Sequence, residues 1–212
     1  MKLPAFAFVG VVLVAGARGA AAQSLPTTPP PPTEWSFGAF AYTYFVPEDA
    51  NYVQPTVTAD RRHLHLEARF NYEDRRTGSV WAGVNFSGGD DLRWELTPML
   101  GGVFGGTSGI APGYRGTIGW RALEFYSEGE ALIDADVSTD SFFYNWSELT
   151  LSPVDRLRFG LVTQRTRAYQ TDRVVQRGLL VGTSIRKLDV TAYVFNPDDS
   201  KPILVLSFGV SF

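Results

Sequence analysis

The chain has 212 residues, a formal net charge of −3 at pH 7, no cysteine, and 15 Phe, 9 Tyr and 5 Trp. Without cysteine there can be no disulfide framework, and without a basic excess there is no electrostatic footprint for nucleic acid. Mean hydropathy is −0.06, and beyond the N-terminal apolar stretch no run approaches the length of a membrane-spanning helix.

In chain order, Met1-Lys2 precedes an apolar stretch over 3–15, and Ala20-Ala21-Ala22 offers an A-x-A site before Gln23. This is the form of a secretory signal peptide, so residues 1–22 are set outside the fold. Their removal takes Lys2 and Arg18 and no acid, moving the formal charge from −3 to −5. Residues 23–33, with Pro26 and Pro29 to Pro32, read as an extended periplasmic tether. One domain, 34–212, follows.

Strand signals then recur without sustained helical periodicity. Segments 35–45, 63–72, 80–86, 92–100, 114–133, 142–151, 157–166, 174–186 and 190–195 each carry one, and a final strand ends the chain. Connections fall at 46–62, 75–78, 87–91, a Gly-rich 101–113, 134–141, 152–155, 167–173, 187–189 and 196–202. That makes ten strands. Twelve is the alternative, reached by splitting 114–133 near Arg121-Ala122 and counting 52–60 as a strand of its own. Two connections break the short-turn, long-loop rhythm of the ten-strand count: 87–91 is short for an outer loop, and 101–113 is long for an inner turn.

The final strand alternates. Leu204, Leu206, Phe208, Val210 and Phe212 occupy one face, and Val205, Ser207, Gly209 and Ser211 the other. This ending resembles the C-terminal strand of Gram-negative outer-membrane β-barrels, which close on Phe with apolar residues at alternate positions before it. The resemblance is to the class at large. It implies an all-β, transmembrane, antiparallel up-and-down barrel in the outer membrane, monomeric, with the lipid bilayer and the barrel assembly machinery as partners. It also implies that the last strand closes the barrel and is read by that machinery. A soluble lipocalin-type barrel alternates as well, with its apolar face inside. The aromatic supply favours a lipid-facing band, with Trp35, Trp94 and Trp120 as interfacial girdle residues.

With the polar face inward, the lumen carries Glu67, Arg69, Arg93, Glu95, Glu128, Glu130, Glu148 and Arg158, charges tolerable at membrane depth when they pair inside. Such pairs would narrow or plug a small barrel. A passive pore for ions or small solutes is the alternative. His63 and His65, at i and i+2 beside Glu67, form a possible polar site, with both imidazoles expected on one face. They are the only histidines, and a lipid hydrolase built on one of them is the remaining reading. No catalytic set, metal site or cofactor motif is present in the sequence.

Overall fold

The computed structural model describes residues 34–134, 141–168 and 174–212. The expected signal peptide (1–22) and tether (23–33) lie outside the described residues. Thirteen strands follow one another: β1 (Ser36–Phe45), β2 (Tyr52–Arg61), β3 (Leu64–Phe70), β4 (Thr77–Val84), β5 (Phe86–Gly88), β6 (Leu92–Gly105), β7 (Gly109–Trp120), β8 (Leu123–Asp134), β9 (Phe142–Val154), β10 (Leu157–Ala168), β11 (Val174–Ile185), β12 (Leu188–Phe195) and β13 (Ile203–Ser211). Twelve of them close into an antiparallel barrel, because β1 pairs with β13 and β4 pairs with β6. β5 holds to β6 alone. The seam between first and last strands is completed by Phe37 and Phe212, whose backbones exchange hydrogen bonds of 2.8 and 2.9 Å.

The expectation of ten strands is corrected to twelve, and the reasons are local. Segment 46–62 contains β2, and 114–133 is divided by a turn at 121–122 between β7 and β8. Of the Gly-rich segment 101–113, only 106–108 is a connection. The rest supplies the last residues of β6 and the first of β7, which pair from Val103↔Gly109 to Leu92↔Trp120. Adding β2 also removes both irregularities of rhythm. The turns at 62–63, 89–91, 121–122, 155–156 and 186–187 now lie at the end that holds the two termini of the barrel. The connections 46–51, 71–76, 106–108 and 196–202 lie at the other, the loop end.

Prolines mark where the ladders stop, as the missing N–H requires. Pro55 lies just past the last β2–β3 pair, Thr56↔Arg69. Pro98 faces the break between Gly83↔Met99 and Phe86↔Leu96, the point at which β4 gives way to β5. Pro112 falls in the gap of the β7–β8 ladder between Ile110↔Ile133 and Gly113↔Glu130.

Alternation divides the barrel into two faces. Among the described residues, 38 large apolar side chains are exposed, and they form an outward band around the wall. That is far more apolar surface than a water-soluble exterior leaves uncovered. The lipocalin arrangement, apolar inside and polar outside, is thereby excluded. Trp35, Trp94 and Trp120 all stand in this band near the terminus end. Trp81 and Trp146 point inward instead, each 3 % exposed. On β7 to β9 the band carries outward polar groups that satisfy one another. Asn145 Nδ2 donates to Tyr114 Oη (3.0 Å) and Ser127 Oγ (3.1 Å), and Ser127 Oγ meets Ser147 Oγ at 3.0 Å.

Candidate functional site

Large side chains stand along the interior wall of the barrel. Its wall alternates so that β1 contributes Tyr42 and Tyr44, β9 Tyr144 and Trp146, β12 Tyr193 and Phe195, and β13 Val205. Tyr44, Trp146, Val162, Leu180, Tyr193, Phe195 and Val205 form one packed cluster across the interior. Trp146 meets Tyr193 and Phe195 edge-on at 5.2 and 5.3 Å. A second cluster, Trp81, Met99, Val103, Ala111 and Leu132, fills the interior along β4, β6, β7 and β8. Trp81 fits because Gly101 lies opposite it: a Cβ there would stand 2.5 Å from the indole.

Between these apolar masses runs a charged network. Glu67 on β3, 7 % exposed, is bound by Arg69 Nε and by Arg115 Nη1 at 3.1 Å. Arg69 also gives Nη1 to Glu130 Oε2 at 2.9 Å. Its guanidinium lies 4.3 Å from the Tyr72 ring and 4.5 Å from that of Trp81. The chain continues through His65, whose Nε2 meets Glu67 at 3.0 Å and whose Nδ1 meets Asp60 at 2.7 Å. Asn85, at the break between β4 and β5, donates to the same Asp60 oxygen at 2.7 Å.

The predicted lumen residues divide into five groups. Glu67, Arg69 and Glu130 come together as above. Glu128 accepts hydrogen bonds from Tyr72 (2.5 Å) and Tyr126 (2.6 Å). Glu148 accepts from Trp146 Nε1 (2.8 Å) and Tyr193 (2.9 Å). Arg158 forks onto Asp189 at 2.5 and 2.7 Å and also reaches Thr191. Arg93 and Glu95 stand on the lumen face of β6 near the terminus end and take part in no ion pair among the described residues. Arg115, Asp189, Tyr42, Tyr72 and Tyr193 were missed from sequence. Arg115 sat at the start of a segment whose strand number was unsettled, and Asp189 read as a turn residue.

The two histidines do not share a face. Only His65 lies in β3; His63 is in the turn before it, exposed, with Nδ1 3.0 Å from the Asn85 carbonyl. The expectation of paired imidazoles beside Glu67 is corrected accordingly, because the hairpin starts one residue later than the alternation suggested. Both ring nitrogens of His65 are engaged by carboxylates, so neither is left to take a proton from a nucleophile.

At the loop end, outside the spanning strands, exposed pairs tie connections together: Arg75 with Asp49 at 2.8 Å and Lys201 with Glu48 at 2.6 Å. The Asp49 carboxyl is held below the usual carboxylate range, first by the Ala50 backbone N–H and then by Arg75. The folded value is the lower one, so this pairing favours the folded loops above the ordinary carboxylate pKa and is lost as pH falls through the depressed value.

Cavities remain between the described side chains. One of about 280 Å³ lies at the centre, walled by Tyr42, Glu67, Tyr72, Arg115, Glu128 and Glu148 among others. One of about 300 Å³ opens at the loop end, walled by Tyr44, Tyr52, Tyr72, Glu73 and Arg75. Tyr72 belongs to both walls. Two more, of about 580 and 650 Å³, occupy the terminus end and share Arg115 with the central one.

A closed antiparallel barrel of twelve strands, apolar outside and charged within, defines the transmembrane β-barrel class. No family model matches the chain, and no curated protein matches it. Solved structures do. A KdgM porin superposes with a TM-score of 0.61 at 8 % identity, covering 82 % of this chain and 99 % of that one. A KdgM porin in complex with disordered oligogalacturonate gives 0.54 at 8 % identity, over 84 % and 99 %. The NanC porin gives 0.52 at 13 % identity, over 83 % and 98 %. At these identities the likeness is one of fold.

Proposed function

We propose that the chain is an integral outer-membrane protein of a Gram-negative bacterium, a narrow porin-type barrel closed at rest by its own side chains. The observation that carries this is the position of Tyr72, which separates the loop-end cavity from the central one and is held there by Glu128, Arg69 and Tyr144. The apolar outward band supports membrane insertion, and the short turns at the terminus end match periplasmic turns. Within this reading, Leu204, Leu206, Phe208, Val210 and Phe212 lie on the strand that closes against β1 and would be the segment read by the assembly machinery. The chain would work as a monomer.

The oligogalacturonate bound by one neighbour is an acidic polymer and does not carry over. Among the described residues, nine carboxylates stand on the lumen face of the strands (Asp60, Glu67, Glu95, Glu124, Glu128, Glu130, Asp134, Glu148, Asp189) against four guanidinia (Arg69, Arg93, Arg115, Arg158).

Planar-bilayer recording of the refolded protein is the test. The wild type should show no steady conductance, and Tyr72→Ala should open small, salt-dependent steps. Steady steps from the wild type would replace the closed barrel with an open passive pore, the reading that the porin neighbours favour.

A further inference from the structure

The loop-end cavity is walled by aromatic rings and by more negative charge than its cation neutralises. Tyr44 and Tyr52 stack with centroids 4.6 Å apart, and Tyr72 forms the floor toward the centre. Among the described residues, Asp49, Glu73 and Asp74 share the wall with a single cation, Arg75. That cation is already committed to Asp49, through bonds of 2.8 and 3.3 Å, and to the Ala50 carbonyl at 3.1 Å. Glu73 is different. Both its oxygens are shielded from solvent, and neither has a hydrogen-bond partner among the described residues. Behind Tyr72 the deficit continues: Glu130, 3 % exposed, leaves Oε1 unpartnered and lies within electrostatic reach of Glu73 and Glu128. Buried carboxylate oxygens without donors are costly unless something supplies them.

We propose that this cavity binds a small organic cation carrying ammonium groups, a diamine or polyamine, with Glu73 as the principal counter-charge. An ammonium group brings three donors and no acceptor, which answers a wall of unpartnered acceptors. The rings favour an organic cation over a metal ion, since aromatic faces attract ammonium and guanidinium groups. The protein already places its own cations this way: Arg75 lies 5.2 Å from the Tyr52 ring centre and Arg69 lies 4.3 Å from that of Tyr72. Among the described residues, no group of three or more His, Asp or Glu is arranged to hold a metal ion. Behind the floor, among the described residues, Glu128 and Glu148 are hydrogen-bonded only by neutral donors, and in the wall of the central cavity carboxylates outnumber Arg115 and Arg158. The inference rests on the charged lumen of the proposed barrel and not on whether that lumen conducts.

Titration calorimetry on the detergent-refolded protein tests it, with spermidine as the probe, sodium chloride at matched ionic strength as the blank, and trigalacturonate as the anionic control. Spermidine should bind saturably, weaken as salt rises, and bind about tenfold more weakly to Glu73→Gln, the loss expected for one charge-assisted hydrogen bond. Trigalacturonate should not bind. Glu73 lies in a connection and its side chain makes no hydrogen bond among the described residues, so Gln removes the charge without breaking a described bond of the fold; heat-modifiable migration on a gel confirms that the variant has folded. Heats no larger than the salt blank, unchanged affinity in Glu73→Gln, or tighter binding of trigalacturonate would each overturn the proposal. Because binding is measured in micelles without an applied potential, a barrel that conducts fails the closed-lumen reading while leaving this result to stand or fall by itself.

Discussion

Arg69 shows how a single side chain holds the interior together. It is 7 % exposed, it bridges Glu67 on its own strand to Glu130 on β8, and its planar group is sandwiched between Tyr72 and Trp81. A lysine could supply the charge but neither the fork nor the flat faces. Arg69→Met keeps much of the volume and removes the cation. Glu67 would retain His65 and Arg115, while Glu130 would retain no cation among the described residues. Leaving a buried carboxylate uncompensated costs about 3–5 kcal/mol. Urea unfolding in detergent should show a loss of that size, and the double variant Arg69→Met/Glu130→Gln should recover part of it. Equal stability of the single and double variants would mean that Glu130 is already neutral. The same residue marks how far sequence reading reaches. Glu67, Arg69 and Glu130 could be assigned to a charged interior because alternation fixes the face. Which acid meets which base depends on the angular order and stagger of strands around the barrel, and local periodicity carries neither.

At the scale of elements, the contact of β4 with β6 depends on glycine. Trp81 points inward across Gly101, and Gly113 on β7 stands beyond it, where a Cβ would be 3.0 Å from the indole. Gly101→Val would force the ring out of its place, at a cost of about 1–3 kcal/mol for overpacking. Trp81→Leu in the same chain should relieve most of that cost, a coupling that a double-mutant cycle in urea reads directly. Additive losses would show that the two residues do not share the space. These glycines are also the reason the sequence misled. Gly101, Gly102, Gly105, Gly109 and Gly113 look like punctuation, yet they lie inside two paired strands, where Gly101 and Gly113 make room for Trp81. The reverse error occurred at 121–122, where β7 turns into β8 with no Gly, Asn or Pro. Arg121 adopts φ 54° there, as Arg62 and Arg186 adopt 53° and 59° in the equivalent turns. L-residues enter that region at a cost, so composition alone gives no warning of such turns. The strands with clean alternation and Pro- or Asp-bearing connections, from β9 onward, were legible within a few residues.

For the whole molecule, the decisive property is which face meets which solvent. The barrel exposes its apolar side chains and encloses its charges, and the ladder of Leu149, Leu161 and Leu179 shows this most plainly. The three are register neighbours on β9, β10 and β11, and they are 42, 55 and 53 % exposed. If this wall faces hydrocarbon, an arginine there must be buried in lipid without a partner. Leu161→Arg, close to mid-strand, should then cost about 2–4 kcal/mol, while Ile133→Arg at the loop end should cost about 0–1 kcal/mol, since the penalty falls toward the interface. The measurement is urea unfolding of the protein refolded into phospholipid vesicles. In water both changes would be close to neutral, because each replaces an exposed apolar side chain by a soluble one. A depth-dependent penalty therefore reports the bilayer itself, independently of conductance or ligand. Two equal and small penalties would mean that the apolar band is covered by something other than lipid, and the membrane assignment would fall with it.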